Sequence, residues 1–131
     1  TPVIIEVALN GVHTKERNPH LPTDPDEVRA DAIRCFAAGA SIVHAHHRMG
    51  TMEFNEGVRT PGHAIDDYVA AWGPLLDAQP DALWYPGLLV GADFEALAEK
   101  VPLRIAPVDP GSVNLGRPDA EGLPTGTVYA N

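Results

Sequence analysis

Residues 24–46 read Asp24-Pro-Asp-Glu-Val28-Arg-Ala-Asp-Ala32-Ile-Arg-Cys-Phe36-Ala-Ala-Gly-Ala40-Ser-Ile-Val-His44-Ala-His46. The stretch contains one helix, its stop and one strand. Asp24 is suited to the N-cap, Pro25 to the first helical position, and Glu27 closes a capping box three residues after the cap. Val28, Ala32, Cys35 and Phe36 recur at helical spacing and give the helix one core-facing stripe. Gly39 supplies the stop, and two residues later Ser41 to His46 begins an apolar β-branched run, the length expected of a tight helix-to-strand connection.

Outward from this unit the same alternation continues. Val3 to Leu9 is a buried strand closed by Asn10-Gly11, followed by a long loop to about Thr23. After His46 a second helix is predicted from about Ala64, with Ile65, Tyr68, Val69 and Trp72 on one face and Gly73-Pro74 expected to kink or end it. Leu83-Trp84-Tyr85 reads as a third strand. Phe94, Leu97 and Ala98 mark a brief third helix, and Leu103 to Val108 reads as a fourth strand. The order β-α-β-α-β-α-β requires a parallel sheet with helices packed outside it. A doubly wound sheet and the first half of a TIM-type (β/α)8 barrel both satisfy that order. The turn after the first strand, Asn10-Gly11-Val12-His13-Thr14, carries neither GxGxxG nor a P-loop, and the rich loops follow the strands at their C-terminal ends. These features favour the N-terminal half of a parallel (β/α) barrel, with about four strands and three helices, over residues 1–131.

Composition narrows the function classes. Nine Lys and Arg against eighteen Asp and Glu give a formal charge of -9, with no basic cluster, which argues against nucleic-acid and anionic-membrane partners. No run approaches the ~18 apolar residues of a membrane helix, and Glu6 interrupts the N-terminal apolar run, so no signal peptide is read there and a cytoplasmic setting is expected. The single cysteine, Cys35, lies in the apolar stripe of the first helix and reads as a core residue. The thirteen prolines and twelve glycines fall mostly between apolar runs, as punctuation of a globular chain.

The chemistry concentrates at Ile42-Val43-His44-Ala45-His46-His47-Arg48. Residues two apart on a strand share a face, so His44 and His46 point the same way and His47 the opposite way. Their Cα atoms lie ~6.5 to 7 Å apart along such a strand, from which two imidazoles can reach one ion through bonds of ~2.0 to 2.1 Å. Imidazole suits zinc and also iron, nickel or copper. An isolated HxH also occurs at strand ends with no metal; its place at the C-terminal mouth of a buried parallel strand favours the metal here. A catalytic zinc takes three protein ligands, and Glu6, His13, His20, His63 and Asp109 are the candidates within the chain, none with decisive spacing. A second dense stretch, Asp109-Pro110-Gly111-Ser112-Val113-Asn114, offers acceptors, donors and a glycine that permits close backbone approach; the same residues also suit a plain turn.

Taken together, Ala8-Leu9-Asn10-Gly11, Thr14-Lys15-Glu16, Asn18-Pro19, Leu21-Pro22, Ala38-Gly39-Ala40, Ile42-Val43-His44-Ala45-His46 with Arg48, and Asp109 to Gly116 resemble the β-keto acid cleavage enzyme family of zinc-dependent (β/α)-barrel proteins. The resemblance implies an enzyme that exchanges a carbon-carbon bond between a 3-keto acid and acetyl-CoA, giving acetoacetate and a new acyl-CoA. It implies His44 and His46 as zinc ligands, with zinc polarising the keto oxygen. Asn10, His13, Asp109, Gly111, Ser112 and Asn114 are implied in the substrate pocket. It places a glutamate ligand, the catalytic acid and an arginine on later strands beyond Asn131, and implies a homo-oligomer, a tetramer. Where some members carry an acidic residue that grips an amino-substituted substrate, this chain has His13, which implies a different substrate side chain. After the third strand, where many members have a hydroxyl-bearing residue and glycines, it reads Trp84-Tyr85-Pro86-Gly87. Two other readings stand beside this one: a metal-dependent hydrolase of the amidohydrolase type, in which HxH belongs on the first strand, and a non-catalytic metal-binding fragment.

Overall fold

A computed structural model of the chain describes residues 1–11, 13–48, 63–87, 92–108, 113–114, 119–123 and 128–129. Its centre is a parallel sheet of β1 (Glu6–Ala8), β2 (Ile42–Ala45) and β3 (Leu83–Pro86), in that spatial order. The register aligns Val7 with Val43 and Val43 with Trp84, and Ala8 with His44 and His44 with Tyr85. Because successive strand residues face opposite ways, these two rows lie on opposite faces. Val43, Ala45 and Trp84 are buried. They pack with Val28 and Ala32 of α1 (Pro25–Ala37), Tyr68, Ala71, Trp72 and Leu75 of α2 (Ala64–Ala78), and Leu97 of α3 (Ala92–Ala98). Trp72 stacks on Trp84 with ring centroids 4.5 Å apart, and the Trp84 indole donates to the Pro102 carbonyl. On the other face Glu6 and Ala8 are exposed, while Ile42, His44, Leu83 and Tyr85 are half-buried. Two layers of chemistry result: an apolar face under helices, and a mixed face that carries Glu6, His44 and Tyr85.

Helix α1 begins and ends where its sequence dictates. Asp24 accepts from the Glu27 main chain at 3.0 Å, the Glu27 carboxylate reaches back to the Asp24 N–H, and Pro25 opens the first turn. At the far end Gly39 takes φ 103°, a left-handed conformation only glycine adopts cheaply, and Ala40 N–H donates to the Cys35 carbonyl while Gly39 N–H donates to that of Phe36. Cys35 packs half-buried against the core, as its place in the stripe requires.

Of the two outcomes expected at Gly73-Pro74, an end to helix α2 does not occur. It runs unbroken through Gly73-Pro74 to Ala78. Proline lacks the N–H that would serve the carbonyl four residues earlier, here that of Ala70. Arg29 of α1 donates its guanidinium to the Ala70 oxygen at 2.9 Å. A neighbouring helix thus satisfies the acceptor that the proline leaves free, and the helix continues.

Two further differences concern strands. The first strand is shorter than expected, three residues rather than Val3 to Leu9, and Val3, Ile4 and Ile5 are exposed. The fourth strand expected at Leu103 to Val108 is not formed with any described residue. Pro107 lies inside that segment and has no main-chain donor, Pro102 stands just before it, and Val108 is exposed. A short antiparallel pair that the sequence did not suggest joins β4 (Val113–Asn114) to β5 (Val128–Tyr129). Among the described residues no helix is long and apolar enough to cross a membrane.

Candidate metal centre

β2 carries His44, and His46 follows one residue past its end; the two rings come to one side, as the alternation of an extended run directs. The rings of His44 and His46 lie edge to face with centroids 5.0 Å apart. His47 turns to the opposite face, where it is buried with its ring against Tyr68 and His63. The expectation of a same-side pair and an opposed third histidine therefore holds in the structure.

Each imidazole is set by its surroundings. His44 is stacked on Tyr85 at 4.4 Å, and its Nδ1 lies 3.2 Å from the Tyr85 carbonyl oxygen. A proton on Nδ1 shared with that carbonyl leaves Nε2 as the bare nitrogen a cation requires, an arrangement that commonly orients metal-binding histidines. The Nδ1 atom of His46 is buried with no hydrogen-bond partner among the described residues. Burial lowers the pKa of both rings. For His46 the value falls to about 4, with His44 and His47 adding to the effect, while the Tyr85 carbonyl and Glu6 partly oppose the shift at His44. Both imidazoles are accordingly neutral near pH 7, which is the ligating form.

Gly87, one residue past β3, creates the room for them. A Cβ at that position would lie 2.8 Å from His44 Cε1 and nearer still to Nε2 and Cδ2 of His46. The two rings therefore rest over a backbone that no other residue could provide without displacement. Nothing in the local sequence signalled this; Gly87 stood only in the stretch after the third strand that departs from the family pattern.

The main chain around His46 is held from two sides. Asn10 forms four hydrogen bonds through its carboxamide: Oδ1 accepts from His46 N–H and Gly11 N–H at 2.8 Å each, and Nδ2 donates to the His46 and Pro22 carbonyls at 3.1 Å each. From behind, the Tyr68 hydroxyl accepts from His47 N–H at 2.9 Å and Gly87 N–H at 3.1 Å, and donates to the Gly87 carbonyl at 2.6 Å. Its pKa is raised far above the ordinary phenol range by burial, so it stays a hydroxyl. Arg48, next in line, forks onto the buried Asp67 through Nε at 3.0 Å and Nη2 at 2.8 Å.

The remaining expected site residues divide. Asn10, expected in the substrate pocket, has its carboxamide saturated by main-chain groups, two accepted and two donated bonds being all it can make. His13 is exposed in the loop after β1. Asp109, Gly111 and Ser112 lie outside the described residues, and Asn114 falls in β4. Of the other candidate ligands, Glu6 accepts from the Tyr85 hydroxyl, whose pKa is raised to about 12 by burial and by that carboxylate. His63 lies beside Arg48, with Nε2 3.0 Å from its carbonyl, and His20 is exposed. Among the described residues no group of three or more His, Cys, Asp and Glu side chains is gathered closely enough to hold a metal. The histidine pair fits a divalent cation as two ligands of a larger set.

The sequence model described as beta-keto acid cleavage enzyme matches residues 2–131. A 3-keto-5-aminohexanoate cleavage enzyme of Acetoanaerobium sticklandii is 32% identical over 119 residues, covering 87% of this chain and 41% of the relative. One of Fusobacterium nucleatum subsp. nucleatum is 31% identical over 119 residues with the same coverage. The chain thus spans about two-fifths of the length of the curated relatives it matches.

Proposed function

From the premise that this chain belongs to the beta-keto acid cleavage enzyme family, we propose that it forms the first half of a (β/α) barrel that cleaves a 3-keto acid with acetyl-CoA, giving acetoacetate and an acyl-CoA. The observation that carries the reading is the histidine pair: two neutral imidazoles, 5.0 Å apart, side by side at the C-terminal end of a central parallel strand. That end is where barrel enzymes assemble their sites. The sheet face with Glu6, His44 and Tyr85 becomes the inner wall of the barrel.

His44 and His46 would hold a zinc ion, which when bound supplies a Lewis acid for the keto oxygen. The chain's own residues do the rest of what can be assigned. The Tyr85 carbonyl fixes the His44 tautomer, Gly87 leaves the space over which both rings sit, and burial keeps both nitrogens unprotonated near neutral pH. Asp109, Gly111, Ser112 and Asn114 line the substrate pocket in this reading. The two relatives carry the name 3-keto-5-aminohexanoate cleavage enzyme. With His13 in place of an acidic residue that would grip an amino group, the proposed substrate is a 3-keto acid without one. The remaining ligand, the catalytic acid and the arginine belong to later strands, and the assembly is a homo-oligomer.

The test is acetoacetate formation by the protein from acetyl-CoA and a panel of 3-keto acids, with and without His44→Ala and His46→Ala. Loss of product in both variants, together with loss of stoichiometric zinc by elemental analysis, is the expected result. Product formation that survives removal of both imidazoles overturns the proposal.

A further inference from the structure

We infer that Asn10 is a positioning residue for the metal centre, acting as a surrogate rung that fixes the main chain of His46. The inference rests on the reading of His44 and His46 as metal ligands. In the parallel ladder between β1 and β2 the last main-chain bond runs from Leu9 N–H to the His44 carbonyl, at 2.9 Å. Evenly spaced parallel pairing would next take His46 N–H to main chain of the first strand. It goes to the Asn10 side chain instead, and the same carboxamide returns a bond to the His46 carbonyl. One amide therefore holds both main-chain polar groups of His46, which belong to the two peptide units on either side of it, at the point where β2 has ended at Ala45.

The other half of the carboxamide anchors the clamp. Its second donated bond goes to the carbonyl of Pro22, which with Leu21 is buried ahead of the first turn of α1. Its second accepted bond comes from Gly11, whose φ of 68° lets the chain turn away immediately after Asn10. The long loop from β1 to α1, the first strand and the ligand strand thus meet at one side chain. Without it, the N–H and the carbonyl of His46 itself would lose their partners, and this stretch of main chain would be restrained only from behind, by the Tyr68 hydroxyl at the His47 N–H. Ligands must be held to within about half an ångström for tight metal binding, and groups behind the ligands supply that restraint.

The experiment compares the full chain with Asn10→Leu, which deletes all four bonds, and Asn10→Asp, which keeps the shape but sets a carboxylate oxygen against two carbonyls. Zinc affinity is measured by competition with a chromogenic chelator, coordination by the visible absorption of the cobalt(II) form, and folding by the near-ultraviolet circular dichroism of the Trp72–Trp84 stack. The expected result is zinc affinity at least tenfold weaker in both variants and a changed cobalt spectrum, with the tryptophan signal retained. Should Asn10→Leu fail to fold, Asn10→Asp decides. Equal affinity and an unchanged cobalt spectrum in a folded variant overturn the inference. Absence of zinc binding by the unsubstituted chain refutes the metal reading instead; the clamp is then judged by hydrogen exchange at the His46 amide. Faster exchange in the variants supports it, and unchanged protection overturns it.

Discussion

Gly87 lies where a methyl group would intrude on both imidazoles, so Gly87→Ala should move the rings rather than merely fill space. Overpacking of this kind costs about 1–3 kcal/mol; the expected outcome is a lower urea midpoint together with weakened zinc binding, and retention of full affinity would show that the rings relocate freely. His46 offers a second residue-scale check. In the metal-free chain its ring should titrate near 4, against an ordinary value of 6.5, because burial disfavours the charged form. The sign follows: the unfolded chain binds the proton more readily, so this contribution to stability is present above about pH 6.5 and is lost as pH falls toward 4. Histidine carbon-bound proton shifts followed by NMR across that range test both statements. At this scale the sequence revealed the alternation that pairs His44 with His46 and sends His47 away, since a strand leaves no other choice. It did not reveal Asn10 as a clamp or Gly87 as a floor. The partners of Asn10 stand 12 and 36 residues away, and the rings above Gly87 come from another strand, so no local pattern encodes either contact.

Helix α1 is legible because its signals are local: a cap, a proline, a glutamate three residues on, and a glycine stop. Its capping box also carries a charge. The Lys15 ammonium and the Thr23 main chain hold the Glu27 carboxyl down to about 2, well below the usual 4.5. A lowered carboxyl stabilises the fold above about pH 4.5 and ceases to do so as pH falls toward 2. Glu27→Gln should therefore flatten the acid limb of the stability curve over that interval, measured by thermal melts at stepped pH; an unchanged limb contradicts the assignment. The continuity of helix α2 was not legible, since a proline at position 74 locally argues for a kink or an end and the remedy, Arg29, stands 41 residues before Ala70, whose carbonyl the proline frees. Arg29→Ala is expected to cost about 1 kcal/mol, the net worth of a typical hydrogen bond, since this one is exposed. Pro74→Ala, which restores the missing N–H, should recover most of that loss in the double variant. Strictly additive effects in the double-mutant cycle would disprove the compensation.

For the molecule as a whole, the order of strands and helices determined a parallel sheet with its helices on one face, and the three-stranded core follows that order. The fourth strand did not appear among the described residues because pairing depends on a neighbour and on free donors, which Pro107 reduces. Binding to the folded state alone raises stability by mass action, about 2.7 kcal/mol at a hundredfold excess over Kd. Zinc should accordingly raise the melting temperature of the chain in proportion to the logarithm of its concentration, a chelator should reverse the rise, and neither His44→Ala nor His46→Ala should show it. A rise that persists in both variants would place the ion elsewhere. The Tyr68 oxygen gives this coupling its material form. A single atom from α2 fastens the tips of β2 and β3 at the rear of the sheet, directly behind the imidazoles. Peeling that helix from the sheet would untie both tips together, so the histidine pair and the tryptophan-lined interior are expected to come apart in one cooperative event rather than in sequence.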